Sequence, residues 1–151
     1  MKFEKVVEFH TYDKFGELLY ILHKNNRKYL NDALAEYDLN LLQAMCMLIM
    51  FERNDVTQQE LTDLLFLTKS GITKAIRKLE ADGFIVRSKS KTDARQYVLN
   101  LSEKGIDIIP TLIQINEKWE ELIGFNELDD GFLEILTKLA YKSIDLNSES
   151  P

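Results

Sequence analysis

The sequence predicts a mainly α-helical chain carrying one small β-hairpin. Most apolar residues recur at the helical period, which marks amphipathic helices. Helix-start signals stand at Asn40-Leu41-Leu42-Gln43 and Thr57-Gln58-Gln59-Glu60, both capping boxes. Strand character is concentrated between Phe84 and Leu101, and the middle of that stretch is rich in Lys, Ser and Arg.

The first helix runs from about Tyr12 to Ala35. Tyr12, Phe15, Leu18, Leu19, Leu22, Tyr29, Leu30 and Ala33 follow helical spacing there, and the helix ends before Asp38. His10 and His23 flank or occupy it and point in different directions, so no metal site is expected from them. The second helix starts at Asn40. Its run from Ala44 to Phe51 is apolar on every side and should be enclosed by protein, as the spine of the core. Its methionines read as core filling, although such packing also adapts to a neighbouring pocket. Cys46 lies between methionines with no adjacent base, and so lacks the exposure and cationic neighbours that a redox-sensing thiol requires.

Val56 and Leu61 bracket the Thr57 capping box at hydrophobic-staple positions, which specifies the third helix start twice. A fourth helix starts near Thr68 and runs to about Asp82, where Gly83 takes the left-handed conformation that ends helices. Ile72, Ala75, Ile76 and Leu79 form its buried face. Ser70, Lys74 and Arg77 project the other way, Thr73 and Lys78 flank them, and Lys69 sits in the first turn. Hydroxyls and Gly71 let such a face approach a DNA major groove closely, while Lys and Arg reach phosphates and guanine edges. Taken alone, the same pattern describes an ordinary solvated helix face. The ribbon that follows weighs against that reading: Phe84, Ile85 and Val86 start a strand, and Tyr97, Leu99 and Leu101 return with period two. A helix-turn-helix followed at once by a basic hairpin is a winged helix.

Ser102 caps the helix after the hairpin, which carries Ile106, Ile109, Leu112, Ile113, Ile115, Trp119, Leu122 and Ile123. Pro110 removes one backbone bond and should kink this helix near Ile106 to Pro110, or split it. Gly124 ends it, Asn126 caps the last helix, and Phe132, Ile135, Leu136 and Leu139 form that helix's apolar stripe. The terminal helices thus carry more apolar surface than a small winged helix covers alone, which predicts a homodimer rather than a monomer.

With 151 residues the chain has the length of one domain. Its net charge of −6 argues against a nucleic-acid partner until the distribution is considered. Between Thr68 and Lys104 nine Lys or Arg stand against four acids, so that segment is +5 and the remainder −11. Such segregation is an electrostatic footprint at one end of an otherwise acidic molecule. One cysteine excludes an intramolecular disulfide framework and suits a reducing compartment. The longest apolar run is too short to span a bilayer, and Met1-Lys2-Phe3-Glu4-Lys5 lacks the apolar core of a secretion signal. A cytoplasmic protein with no membrane partner is expected.

Several motifs follow one another in a characteristic order. They are Leu39-Asn40, Val56-Thr57-Gln58-Gln59-Glu60-Leu61, Thr68-Lys69-Ser70-Gly71-Ile72-Thr73, Leu79-Glu80-Ala81-Asp82-Gly83-Phe84-Ile85, Asp93-Ala94-Arg95 and Leu101-Ser102-Glu103-Lys104-Gly105. In order and spacing, residues 40–105 resemble the MarR family of dimeric winged-helix transcription regulators. The resemblance implies one domain over 1–151, with a winged helix-turn-helix lobe at 38–104 and dimerisation helices at 8–36 and 105–146. The first helix and the last two would interlock with those of a second chain. Two recognition helices about one DNA turn apart would then read a pseudo-palindrome. Effectors in the family commonly bind where the dimer helices meet the lobe. Tyr20, Tyr29, Tyr37, Met45, Met47 and Trp119 are possible lining here, but they converge on no recognisable ligand chemistry, and no pocket residues are assigned. Gly71 departs from the family pattern, which usually has a hydroxyl residue there.

The expected function is a sequence-specific, DNA-binding transcriptional regulator, a homodimeric repressor responsive to a small-molecule effector. Ser70, Thr73, Lys74 and Arg77 are the candidates for base or phosphate contacts, and Lys69 for a phosphate near the helix N-terminus. By the family pattern, Arg95 reaches toward the minor groove while Asp93 holds the wing tip, by pairing with a nearby arginine. Lys89 and Lys91 add salt-sensitive, sequence-independent affinity to double-stranded DNA. The competing reading is a winged helix used only as a protein-interaction module, which would show no salt-dependent DNA binding and no need for Arg95. An enzyme is not expected: the sequence has no Gly-rich phosphate loop, no Cys-x-x-Cys or His-Glu-x-x-His spacing and no nucleophile motif, so no catalytic residue or cofactor is assigned.

Overall fold

The computed structural model describes residues 14–148. The chain forms α1 (Lys14–Leu34), α2 (Leu41–Glu52), α3 (Gln58–Leu64), α4 (Lys69–Ala81), β1 (Ile85–Lys89), β2 (Tyr97–Leu101), α5 (Glu103–Leu122) and α6 (Asp130–Ser148). Short 3-10 turns lie at Ala35–Tyr37 and Phe125–Glu127. Two compact units are distinguished, Met1–Asn116 and Glu117–Pro151. His10 and Tyr12, with the first residues assigned to dimerisation, lie outside the described residues.

Local signals in the first unit act as expected. Asn40 accepts the amide of Gln43 at 2.9 Å while the Gln43 side chain accepts that of Asn40 at 2.9 Å, and Thr57 and Glu60 exchange the same pair of bonds at 3.1 and 2.8 Å. Each box satisfies amides that an uncapped helix would leave without partners. The amides of Gly83 and Phe84 turn back to the carbonyls of Glu80 and Leu79, with Gly83 at φ +80°, and this closes α4. The core is built from Cys46 and Met47 of α2, Leu61 of α3, Ile72, Ile76 and Leu79 of α4, and Ile85 and Leu99 of the hairpin, all fully buried. Burial of each large aliphatic side chain is worth about 1.5–3 kcal/mol.

Strands β1 and β2 pair antiparallel, with Ile85 opposite Leu101 and Lys89 opposite Tyr97. Leu99 also exchanges backbone bonds with Val56, at 3.2 and 2.7 Å, so the residue before α3 is stitched to the wing. This third ladder position has no sequence signal of its own. The strand expected from the period-two run of Tyr97, Leu99 and Leu101 is present, with both Val98 and Leu99 buried and Tyr97 exposed. Neighbouring strand residues point to opposite faces, so β2 is covered on both sides at that point.

Contrary to expectation the second helix is not enclosed on every side: α1, α4 and β2 pack against it, but Met45 and Phe51 are exposed. Of the two outcomes expected for Pro110, the split does not occur: α5 continues from Glu103 to Leu122. Ile106, whose carbonyl loses its donor to the proline, is exposed, as is Pro110, so water can take the place of the missing amide. Asn126 lies within a 3-10 turn rather than capping the last helix, which starts at Asp130. As expected, Ser102 accepts the amide of Gly105 at the start of α5. Gly105 is required there, since a Cβ would lie 2.1 Å from the Phe84 carbonyl oxygen.

Candidate nucleic-acid interface

The turn between α3 and α4 fixes the direction of the fourth helix. The Phe66 and Leu67 amides bond the carbonyls of Asp63 and Thr62, with Phe66 in the left-handed region at φ 52° and 72% exposed. Thr68 caps α4 by accepting the Gly71 amide at 3.3 Å. Thr73 is held from two directions: its hydroxyl donates to the Lys69 carbonyl at 2.8 Å and accepts from Gln58 Nε2 of α3 at 2.7 Å. It is therefore half-buried and tied to α3, whereas Lys69, Ser70, Lys74 and Arg77 are exposed along α4. Gly71 has no positive φ and a Cβ there would meet only Thr68 Oγ1 at 3.5 Å, so the backbone does not demand glycine.

At the wing tip the Asp93 carboxylate accepts the Arg95 amide at 3.0 Å, and the Asp93 carbonyl accepts that of Gln96 at 3.0 Å. Ser90 Oγ accepts the amides of Thr92 and Asp93, both at 3.3 Å. Asp93 thus shapes the tip through backbone amides, and this replaces the expected pairing with an arginine side chain. The Arg95 side chain remains exposed, as do Lys89 and Lys91.

The basic residues of the segment divide into two groups. Lys78 is engaged by Asp82 at 2.6 Å and Asp38 at 3.0 Å, and these hydrogen bonds, Asp82 first, raise its pKa above the ordinary lysine value. Arg87 lies 3.6 Å from Glu80 and over the Tyr97 ring, which puts β1 beside α4. Lys104 donates to the Asp82 carbonyl at 2.7 Å and covers the Phe84 ring. By contrast, Lys69, Lys74, Arg77, Lys89, Lys91 and Arg95 form no ion pair with any described residue. The charge count of the segment takes all nine together, but the expected cationic DNA contacts are these six; partners distant in sequence, such as Asp38 for Lys78, show what the other three do instead.

Two cavities border the lobe. One, of about 470 Å³, has His23, Asn26 and Arg27 of α1 on one wall and Leu41, Leu42, Met45, Leu65 and Leu67 on the other. The other, of about 630 Å³, is lined by Tyr37, Phe84 and the first turns of α5. Met45 and Tyr37 carry apolar bulk that marks them as possible lining in the sequence; His23 and Arg27 carry no such mark, because nothing local to α1 signals what α2 brings opposite them. Among the described residues no group of His, Cys, Asp and Glu could hold a metal ion. Cys46 is fully buried, and burial pushes its thiol up to about 12. No single described helix is long and apolar enough to cross a membrane.

A capped helix pair, a second helix with a free basic face and a hairpin beside it define a winged helix-turn-helix protein. The MarR family profile matches residues 37–96. The transcriptional regulator SarZ of Staphylococcus haemolyticus is 30% identical over 101 residues, which are 67% of this chain and 69% of that protein. The chain belongs to the MarR family and is a transcription regulator, not an enzyme. A crystal structure of MarR superposes with a TM-score of 0.78 at 27% identity, over 90% of this chain and 95% of that one. The fold is also that of Staphylococcus aureus MepR in its complex with DNA, with a TM-score of 0.74 at 17% identity over 87% of this chain and 96% of that one.

Proposed function

We propose that the chain is a cytoplasmic, sequence-specific DNA-binding repressor that acts as a homodimer on a pseudo-palindromic site and responds to a small molecule. The observation that carries this reading is the group of unpaired cations on α4 and the wing, in a protein whose net charge is −6. Lys69, Ser70, Lys74 and Arg77 contact bases or phosphates in the major groove, Arg95 enters the minor groove, and Lys89 and Lys91 meet the backbone. Thr73 contributes mainly by locking α4 to α3. The DNA complex of MepR, which shares the fold, supports the choice of ligand.

Dimerisation is supported by apolar side chains without cover in the single chain: Phe15, Leu18 and Leu19 of α1, and Leu133, Ile135, Leu136 and Leu139 of α6. No residue of α6 is buried. Patches of this extent mark protein contacts. The effector would bind in the cavity between His23, Arg27 and the leucines facing them, at the junction of α1 with the lobe.

The test is selection of bound duplexes from a random pool, repeated at higher salt. The expected result is a pseudo-palindrome with half-sites about one helical turn apart, and affinity that falls steeply with salt. Recovery of no duplex at low salt would overturn the reading in favour of a protein-interaction module.

A further inference from the structure

Lys78 sits where the C-terminal ends of two helical segments meet. Its ammonium donates to the Asp38 carbonyl at 3.1 Å, to the Asp38 carboxylate at 3.0 Å and to the Asp82 carboxylate at 2.6 Å. Asp82 is the C-cap of α4, directly after Ala81, and Asp38 is the joint between the end of α1 with its 3-10 turn and the start of α2. Carbonyls at helix ends favour a cation, so the position is electrostatically suited to lysine.

Asp38 is one of three described non-glycine residues at positive φ, with Asp55 and Phe66. Its amide bonds the Ala35 carbonyl, the Leu39 amide bonds that of Leu34, and Asp38 takes the left-handed conformation at φ 56°. That is the position at which helices usually place glycine, because a side chain there is strained. Aspartate enters this region more readily than most residues because its short side chain can bond locally, and here that side chain is held by Lys78.

We infer that Lys78 and Asp38 form a clamp that sets how α4 is presented to DNA, with Lys78 as a positioning residue that does not itself touch DNA. The inference rests on the proposed entry of α4 into the major groove. It assigns to Asp38, an acid in a DNA-binding protein, a contribution that favours binding. General electrostatics gives the opposite sign: removing an acid from such a protein should tighten its grip on a polyanion.

The difference in sign is the test. Full-length wild type, Asp38→Gly, Asp38→Asn, Lys78→Met, Lys78→Arg and the Asp38→Gly/Lys78→Met double variant are titrated against the duplex recovered by selection, and melting is recorded for each. Asp38→Gly should melt no lower than wild type, since glycine accepts the left-handed position, yet bind DNA about twofold to fivefold more weakly. Lys78→Met should lose a similar factor, the double variant no more than either, and Lys78→Arg should bind like wild type. Asn also tolerates the left-handed conformation, so Asp38→Asn repeats the measurement with little change of shape. Unchanged or tighter binding by both Asp38 variants, or additive losses in the double variant, would overturn the clamp alone. A wild type that recovers no duplex would remove the DNA-binding reading and the clamp together.

Discussion

The Asp93 carboxylate accepts the backbone amide of Arg95 at 3.0 Å, so the acid of the wing motif shapes the turn that presents the arginine and leaves the guanidinium free. The two residues therefore have separable roles. Arg95→Ala should leave melting unchanged and weaken cognate DNA by roughly 1–3 kcal/mol, as removal of a groove-reading arginine does. Asp93→Asn retains an oxygen that can accept the amide and should bind nearly as wild type, whereas Asp93→Ala should lose affinity. Equal binding by Arg95→Ala in a fluorescence titration would refute the assignment.

Gly71 offers a gain of function. The site has room for a side chain, and glycine inside a helix costs about 1 kcal/mol relative to alanine. Gly71→Ala should raise the melting temperature. Gly71→Ser should give a smaller rise and also tighten DNA binding, by restoring the hydroxyl usual in the family near the N-terminus of α4. Thermal melts and a titration of both variants separate the two effects.

Gly105 and Phe66 predict opposite signs in the same measurement. A methyl group at Gly105 would collide with the Phe84 carbonyl, so Gly105→Ala should destabilise by about 1–3 kcal/mol or more. Phe66 is strained and mostly exposed, so Phe66→Gly relieves a left-handed residue and should cost little or stabilise by about 1 kcal/mol. Denaturant midpoints compare the two directly.

The exposed stripe of α6 should depend on a second copy for cover. Leu136→Glu/Leu139→Glu is expected to shift the protein to monomer in sedimentation while helical circular dichroism is largely kept, and to abolish tight binding to a two-half-site duplex. A dimer that survives both charges would show that α6 is not part of the interface.

Cys46 should be chemically silent. Burial raises its thiol from 9.0 to about 12, so the folded protein holds the proton more tightly than the unfolded chain does. Its contribution to stability is complete below pH 9 and is lost as the pH rises toward 12. Iodoacetamide at pH 8 should label the native protein only as fast as it unfolds, and alkylation at the rate of a free thiol would contradict this.

The sequence by itself determined the order of the helices, both capping boxes, the buried stripe of α4, the wing and the family. Each depends on contacts between residues a few positions apart, such as Thr57 with Glu60, or on the period of one element. Packing between elements supplied the partners of the cations that are not free: helical spacing sets Lys78 at the flank of the face that carries Lys74, and the fold brings Asp38 against Lys78 and not against Lys74. It also decided that Val56 joins the wing through Leu99, that His23 and Arg27 face the leucines of α2 and the turn, and that Thr73 is spent on Gln58. Spacing specifies local hydrogen bonds because the intervening backbone fixes the distance. Pairings between remote residues depend on how whole elements pack, and no local pattern encodes that.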